Sequence, residues 1–578
     1  MARRLAPGPR WVILAVVVLA TTACGVFRPD HALRVATGVA AHDLCSETFV
    51  SGLDPDRVFA ESLAPRPGFG LVSWTMFVNV DRERREVRTS LAGLLSSRAV
   101  YREGWGCMLV HGNEVAALPA PVPIIPSQAL LPPIASQTSL LAPVNARLKA
   151  AIDAAFLEPS SGPPELTKAV VVLRDGRVVG ERYAPGYNID TPVLGFSIAK
   201  SVINALLGVL VQQGRLDAKC PAPIAVWQGA SDPRRAITVE QLMRMTSGLD
   251  LDETGSGFDP ANRMFYVEGD MAGFAQAAKL KVEPGTRWFY SSAGTHLLAR
   301  MVRDKTGGSA AAMQRFAAEQ LFGPLGMRSV VMETDITGTP VGAHYMFATA
   351  RDWARFGSLY LNDGVVGGRR LLPEEWVAFS NEPTLETNYG AGWWPNRTKN
   401  PGGARVSKLD MPLMRRLPPD AFYALGNLGQ YILVVPSERL VVGPAGALAG
   451  QELRLRQCRG AGGRGHRGLQ GPGAVMPRVQ RHRLASGLTL QARSWPCAVP
   501  TEPPVLLVHG LGKSAWVWQG IAPLLAHDRD VLARVAPGAP RLRPPCAAPA
   551  QPGQDVVGAS WHQRRWSCAK VGRPPEWR

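Results

Sequence analysis

Two residues close together in the chain, Ser197 and Lys200, have the types and the spacing of an activated nucleophile. Residues three apart lie on one face of a helix, so the hydroxyl and the amine can reach each other. A serine hydroxyl needs a base, and a lysine in a desolvated pocket can supply one because burial disfavours its charged form. The pattern is weak by itself, since Ser567 and Lys570 repeat the same spacing near the end of the chain.

The first element that must position this pair is a predicted helix over about 197–213. Its apolar residues leave little polar face, which indicates burial, and Gly214 stands where the end of a helix favours a left-handed residue. The start of such a helix offers free N–H groups and a partial positive charge beside Ser197, which would stabilise an oxyanion.

The segments around this helix predict one antiparallel sheet packed against helices. Hairpins are expected at 169–182, around Asp175 and Gly176, and at 430–442. Helices are expected at 145–156, 237–245 and 353–362, and Thr238 and Gln241 have the spacing of a capping box at the start of the second. Strands at both ends of the region, with helices between them, indicate an α/β (α+β) fold over 145–442.

Several segments, taken in order, resemble the serine β-lactamase-related family. They lie within about residues 30–442, at 196–201, 237–249, 284–292, 348–357 and 429–436. Within the family the chain is similar to class C-like esterases and 6-aminohexanoate-dimer hydrolases. The resemblance implies a β-lactamase/penicillin-binding-protein-like fold, in which an antiparallel sheet is flanked by helices and joined by a helical subdomain.

The resemblance also implies a catalytic set. Ser197 would be the acylated nucleophile, Lys200 its activator, and Tyr290 the phenol that moves protons between the nucleophile and the leaving group. A tyrosine beside an ammonium is easier to deprotonate, so Tyr290 and Lys200 are expected to share the base role. Taken without the family, Tyr290 also fits a core aromatic after a Pro-Gly turn. No metal and no organic cofactor are expected.

Two departures from the family pattern bear on the substrate. Ser292 stands where class C β-lactamases have asparagine, and residues 426–429 lack the Lys or His of the third motif. Without that cation we expect an uncharged small-molecule ester or amide as substrate. The same strand would supply the second oxyanion N–H, from Asn427 with Gly429 beside it, facing the N–H of Ser197.

Other interpretations stay open. The same fold could serve a β-lactamase or D-Ala-D-Ala peptidase, a penicillin-recognition sensor that acylates without turnover, or an inactive decayed product. His296 and His344 are expected to be structural hydrogen-bonding residues rather than bases. Three tryptophans fit either an acyl pocket or the core: Trp288, Trp393 and Trp394.

The first 24 residues have the pattern of an export signal. Arginines precede an apolar run over 11–20, and small residues lead to Cys24. Ten apolar residues are too few to cross a bilayer, which takes about 20. Cys24 resembles the lipid-modified cysteine of bacterial lipoproteins, although Thr21 replaces the usual leucine, so simple cleavage and a lipid anchor both stay open. We expect an exported protein, periplasmic or membrane-anchored through Cys24, and the sequence gives no oligomeric state.

Alternating segments within residues 31–118 are typical of a small β-rich region, here named the accessory region. The proline-rich stretch 119–144 follows as a linker. In an exported protein, Cys45 and Cys107 are candidates for a disulfide, with two buried thiols as the alternative.

The net charge of +18 is concentrated at the end of the chain. Residues 452–578 hold 19 Lys and Arg against 6 Asp and Glu, which leaves 45 against 40 in the first 451 residues.

Within the tail, 443–578, a segment over 484–532 resembles the start of an α/β-hydrolase but lacks its nucleophile elbow. We expect a frameshift-derived tail. A basic disordered tail also fits the charge, but it lacks the interleaved aromatics of nucleic-acid binders, so no nucleic-acid partner is expected.

Overall fold

The structure, a computed structural model, describes most of residues 29–443 and four strands beyond them. The ranges are 29–66, 69–93, 95–111, 129–135, 139–158, 165–254, 258–397 and 417–443, with the strand backbones between 478 and 534. The chain divides into two compact units, Met1–Arg459 with Cys568–Arg578 and Gly460–Ser567. The export signal and Cys24 lie outside the described residues. Among the helices that the structure describes, none has both the length and the apolarity to span a bilayer.

The accessory region contains a long helix packed on a four-stranded antiparallel sheet. Hydroxyl contacts join the two layers, since Thr89 donates to the carbonyl of Thr37 at 2.7 Å and Thr37 Oγ1 lies 2.8 Å from Ser97 Oγ. A disulfide between Cys45 and Cys107 ties the helix to the last strand. The elements are α1 (Pro29–Phe49), α2 (Pro55–Val58), β1 (Met76–Asp81), β2 (Glu86–Leu91), β3 (Leu95–Arg102) and β4 (Gly106–Leu109).

The prediction of a β-rich region is therefore incomplete, because α1 was not expected. Nearly every residue of α1 from Val39 onward is buried, including the charged side chains of Asp43 and Glu47. Those charges are compensated by partners on other elements. The helix consequently lacks the apolar stripe and polar face by which a helix is found in a sequence.

The described parts of the predicted linker lie along the central domain. The N–H of Leu130 donates to the carbonyl of Pro324 at 2.9 Å, and the N–H of Leu141 donates to the Glu181 carboxylate at 2.8 Å. The carbonyl of Ile134 accepts a hydrogen bond from the N–H of Val178 at 2.9 Å. This stretch accordingly runs along the edge of the central sheet.

The central domain places helices against an antiparallel sheet of six strands. Its helices are α3 (Ala146–Ala154), α4 (Ile198–Gln212), α5 (Val239–Met243), α6 (Pro260–Tyr266), α7 (Met271–Gln276), α8 (Ser292–Lys305), α9 (Ala310–Ala317), α10 (Gly323–Leu325), α11 (Ala350–Leu361) and α12 (Trp376–Ser380). Its strands are β5 (Ala169–Arg174), β6 (Arg177–Tyr183), β7 (Pro192–Leu194), β8 (Val331–Met332), β9 (Met346–Thr349), β10 (Val365–Val366), β11 (Arg369–Arg370), β12 (Trp394–Pro395), β13 (Phe422–Leu425), β14 (Tyr431–Val435) and β15 (Leu440–Gly443).

The six-stranded sheet has the order β12-β13-β14-β15-β5-β6, so strands from both ends of the domain meet where β15 pairs with β5. Both predicted hairpins are present, β5-β6 and β14-β15. Asp175 and Gly176 both have positive φ, 50° and 75°, as a primed turn between twisted strands requires. This is the antiparallel sheet flanked by helices that the sequence predicted.

The helix that was predicted to carry the nucleophile is confirmed. α4 begins directly after Ser197, its residues are buried almost throughout, and Gly214 just beyond its end has φ 67°. α5 carries the predicted capping box between Thr238 and Gln241. α11 begins at Ala350, three residues earlier than expected, where the Thr349 side chain caps it.

The second unit is described only by four strands: β16 (Arg478–Arg483), β17 (Thr489–Trp495), β18 (Val505–Val508) and β19 (Val531–Arg534). β16 pairs antiparallel with β17, β17 pairs antiparallel with β19, and β18 pairs parallel with β19. Of the α/β-hydrolase-like segment over 484–532, the structure describes only the residues that lie in β17, β18 and the start of β19.

The disulfide should make a measurable contribution to stability. It closes a loop with a sequence separation of 62 residues. Replacing both Cys45 and Cys107 by alanine should lower the free energy of unfolding by roughly 3–4 kcal/mol, since the unfolded chain regains that loop entropy. Urea denaturation measures this change. Thr37→Val, which removes only hydroxyl contacts at the same interface, should cost about 1 kcal/mol, and equal stability of the double variant and the wild type would contradict the expectation.

Candidate active site

Ser197 lies at the N-terminal end of α4, half-buried and preceded by a strained residue. Phe196 has φ 48°, in the left-handed region that phenylalanine rarely adopts. The N–H of Gly195 donates to the carbonyl of Met346 at 2.9 Å, which anchors the turn. A side chain at Gly195 could not fit, since a Cβ there would lie 2.5 Å from the Trp353 ring. Backbone strain held in place by such contacts is typical of functional sites.

Lys200 points back to Ser197 from the first turn of the same helix. Its Nζ lies 2.9 Å from Ser197 Oγ, 3.0 Å from Ser292 Oγ and 3.0 Å from the carbonyl oxygen of Ala343, and in its charged form the amine donates a hydrogen bond to each. Only 4% of the residue is exposed. The predicted pair is therefore brought together, and two partners that the sequence analysis did not name complete the contacts of the amine.

These contacts suit a lysine that is neutral while it works. Burial lowers the pKa of Lys200 to about 8, and the carboxylate of Glu253 opposes the shift. A neutral amine has two N–H donors and one lone pair. The carbonyl of Ala343 can only accept, and Ser292 can also accept. With those two bonds made, the lone pair is left to face the Ser197 hydroxyl and take its proton.

Tyr290 also lies at the site, as the sequence predicted. Its hydroxyl interacts with Ser197, and Lys200 Nζ lies 4.8 Å from the centre of its ring. Burial raises the pKa of Tyr290 well above its usual value, and the charge of Glu253 raises it further. This shift favours a protonated Tyr290 that donates or relays a proton, and the sharing of the base role with Lys200 stays a prediction.

Glu253 is a site residue that the sequence did not reveal. Its carboxylate accepts a hydrogen bond from the N–H of Ser292 at 2.9 Å, and its own N–H donates to the carbonyl of Tyr290 at 3.2 Å. Ser291 caps α8 by accepting from the N–H of Gly294. These bonds hold Tyr290 and Ser292 in place, and no pattern in the sequence marked a loop glutamate for that role.

The predicted oxyanion strand lies beside the nucleophile turn. A Cβ on Gly426 would be 2.3 Å from the carbonyl oxygen of Gly195, so the two chain segments are in contact. Asn427 is exposed, and Gly429 follows it in a short turn. Within the described residues, neither the N–H of Ser197 nor that of Asn427 donates a hydrogen bond. Both groups remain candidates for binding an oxyanion, and the role of Asn427 stays a prediction.

Two of the three tryptophans lie near Tyr290 and one does not. Trp394 stacks on Tyr290 with ring centres 6.0 Å apart, and Trp288 packs against Tyr389 at 5.7 Å. Trp393 is fully buried and packs in the core. Trp288, Tyr389 and Trp394 therefore form an aromatic cluster beside Tyr290, in which Tyr389 and Trp394 are buried.

The two histidines near the site are buried. Burial lowers the pKa of His296 to about 4, and its Nδ1 lies 3.2 Å from the carbonyl oxygen of Ser292. His344 packs edge-on against Phe196, and burial lowers its pKa well below the usual value. Both rings are neutral at physiological pH, which suits packing rather than proton transfer.

Comparison with known proteins identifies the family that the central domain matches. Residues 165–443 match the profile of the Beta-lactamase family. A 6-aminohexanoate-dimer hydrolase of Paenarthrobacter ureafaciens is 30% identical over 224 residues, which are 36% of this chain and 56% of that protein. The chain thus carries a β-lactamase-family domain over 165–443, with the β-lactamase/penicillin-binding-protein-like fold. The aligned region spans little more than half of that relative, and residues 30–164 lie outside the family match.

Two solved structures align with the chain at low similarity. A penicillin-binding protein homologue from Caulobacter crescentus is 20% identical, with a TM-score of 0.40, and covers 54% of this chain and 94% of its own. A family VIII carboxylesterase is 17% identical, with a TM-score of 0.41, and covers 55% and 95%. Neither alignment bears on the function of this chain.

The pKa of Lys200 predicts how Ser197 reacts with pH. Because the neutral amine is the base and its pKa is about 8, the rate at which a fluorophosphonate modifies Ser197 should rise about tenfold from pH 7 to pH 9. Mass spectrometry of the labelled peptide measures the rate. Lys200→Arg keeps the positive charge but cannot lose it, so labelling should fall by roughly 10³-fold or more at every pH. A rate that is flat over this range would contradict the assignment.

Proposed function

We propose that this protein is an exported serine hydrolase that cleaves uncharged esters or short amides through an acyl-enzyme on Ser197. The observation that carries the proposal is the buried Lys200 amine, 2.9 Å from Ser197 Oγ, with Ser292 and Ala343 as its other partners. This arrangement gives the serine a base that is neutral in a useful fraction of molecules near pH 8.

In the acylation step, Ser197 Oγ attacks the carbonyl carbon of the substrate while its proton moves to Lys200 Nζ. The carbonyl oxygen takes the negative charge and is bound by the N–H of Ser197 and a second N–H from the 426–429 turn. As the tetrahedral intermediate collapses, the bond to the leaving group breaks. Tyr290, held protonated, gives its proton to that group and is reprotonated from Lys200.

Deacylation reverses these roles with water as the nucleophile. Lys200, neutral again, takes a proton from water, directly or through Tyr290, and the hydroxide attacks the acyl carbon. The ester bond to Ser197 breaks, and the serine oxygen recovers a proton from Lys200. No metal and no organic cofactor take part in this proposal.

The substrate class follows from what surrounds the nucleophile. Residues 422–435, which include the 426–429 turn, contain no Lys, Arg or His to pair with a substrate carboxylate. The aromatic cluster beside Tyr290 makes this side of the site apolar, so an uncharged acyl group fits best. The name of the Paenarthrobacter relative adds a 6-aminohexanoate dimer to the candidate substrates. No observation favours a penicillin or a D-Ala-D-Ala peptide.

Export is supported by the leader pattern before Cys24 and by the disulfide between Cys45 and Cys107, since disulfides persist in oxidising compartments. We propose a periplasmic or membrane-anchored enzyme, with lipidation of Cys24 as the anchor.

The test is turnover of p-nitrophenyl butyrate by the full chain, with nitrocefin as the competing substrate. We expect steady ester turnover and little nitrocefin hydrolysis. Ser197→Ala should lower the ester rate by at least ~10³-fold. The matched control is Ser567→Ala, which removes the serine of the same four-residue pattern in the tail and should leave the rate unchanged.

Three results would contradict the proposal. Ester turnover that persists in Ser197→Ala would show that Ser197 is not the nucleophile. A single burst of acylation without turnover would favour the sensor, and nitrocefin hydrolysis at the ester rate would favour the β-lactamase.

A further inference from the structure

The turn between β8 and β9 supports the nucleophile turn from behind. The Ala343 carbonyl accepts a hydrogen bond from Lys200 Nζ, and the Met346 carbonyl accepts one from the N–H of Gly195. These two carbonyls therefore fix both the amine and the chain just before Ser197. Any shift of residues 343–346 would move the base and the nucleophile relative to each other.

The opposite side of this turn is held by the accessory region. Tyr345, between the two carbonyls, donates its hydroxyl to Asp43 Oδ1 of α1 at 2.6 Å. Asp43 also forms a buried ion pair with Arg66, and the His42 ring stacks on Tyr345 with centres 3.7 Å apart. Asp43 and Tyr345 are both fully buried.

Glu333 supplies a second connection between the same parts. Its N–H donates to the carbonyl of Tyr345 at 3.1 Å, and its carbonyl accepts from the N–H of Val341 at 2.8 Å. Its carboxylate binds His42 Nε2 at 2.8 Å and the N–H of Cys107 at 2.7 Å. The disulfide-linked α1 and β4 thus hold both ends of the turn.

We propose that the accessory region positions the catalytic lysine, and that Asp43, through Tyr345, is its positioning residue. Asp43 holds Tyr345, Tyr345 fixes the neighbouring Ala343 carbonyl, and that carbonyl directs the Lys200 amine toward Ser197. The catalytic consequence rests on the proposed function, whereas the positioning itself does not. Residues 29–111, which make these contacts, lie outside the family match over 165–443.

The effect on Lys200 passes through geometry, because the accessory-region charges of His42 and Arg66 act on His344 and not on Lys200 itself. The titratable groups that face Lys200 are Glu253, Tyr290, His296 and His344, and all four belong to the central domain. Burial sets the ionisation of Lys200, so a looser turn that admits water should raise its pKa toward the usual value.

The experiment compares two carboxylate-to-amide changes made one turn apart on α1 of the full chain. Asp43→Asn weakens the link to Tyr345, because a neutral amide oxygen is a weaker acceptor than a carboxylate and the ion pair with Arg66 that holds residue 43 is lost. Glu47→Gln is the matched control. It breaks the buried ion pair between Glu47 and Lys168, whose charged atoms lie 3.2 Å apart. Lys168 directly precedes β5 and does not belong to the turn between β8 and β9. Tyr345→Phe removes only the hydroxyl that contacts Asp43 and keeps the ring. It therefore provides the test if Asp43→Asn does not fold.

Two readouts are taken for each variant: the titration of Lys200 and the rate of ester turnover. The titration is followed by NMR of protein labelled with ¹³Cε-lysine, with the Lys200 signal assigned from its loss in Lys200→Met. We expect Asp43→Asn and Tyr345→Phe to raise the pKa of Lys200 by about one unit and to lower kcat at pH 7 by about tenfold, with KM little changed. Glu47→Gln should lower the melting temperature but leave both readouts as in the wild type.

The proposal is overturned if Asp43→Asn and Tyr345→Phe titrate like the wild type, or if Glu47→Gln shifts Lys200 equally. If the wild-type protein shows no ester turnover, only the proposed hydrolase function is contradicted. The titration of Lys200 still tests whether Asp43 and Tyr345 position the amine.

Discussion

The whole site depends on one constraint: the amine of Lys200 must be kept away from water while it touches Ser197. Desolvation lowers its pKa to about 8, and without it the amine would be an ammonium with no lone pair for the serine proton. The buried α4 supplies this environment, and its first turn sets the distance between amine and hydroxyl. Ser292 and Ala343 then take the remaining N–H groups, so the direction of the lone pair is fixed as well.

The other elements can be understood by how they maintain that constraint. β7 and β9 bring the turn before Ser197 against the carbonyl of Met346. α8 begins at Ser292, and the Glu253 carboxylate fixes this end of the helix by accepting a hydrogen bond from the N–H of Ser292. The same carboxylate helps keep Tyr290 protonated, which separates the proton donor from the base. The accessory region lies outside the family match and contacts the residues behind the site, through the buried contacts of α1 with Tyr345 and Glu333.

Sequence reasoning found the parts whose signal is local. The Ser197 and Lys200 spacing, the capping box at Thr238 and the turn at Asp175 follow from near neighbours, and the structure places them as expected. It missed α1, because a helix buried on nearly all sides has no amphipathic pattern. It also missed the Ala343 carbonyl as a partner of Lys200, since every residue has a carbonyl and only the fold determines which one lies beside the amine. For Tyr290, burial and the charge of Glu253 raise the pKa, and neither effect can be read from the residues next to it in the sequence.

The central claim is that a neutral Lys200 accepts the serine proton. Neutron diffraction from crystals of the deuterium-exchanged protein near pH 9 would test it most directly, because it locates the hydrogen atoms themselves. The account predicts two deuterons on Lys200 Nζ, directed at Ser292 Oγ and at the carbonyl of Ala343, and the Ser197 deuteron pointing toward Nζ. Three deuterons on Nζ at that pH, with one directed at Ser197 Oγ, would contradict it.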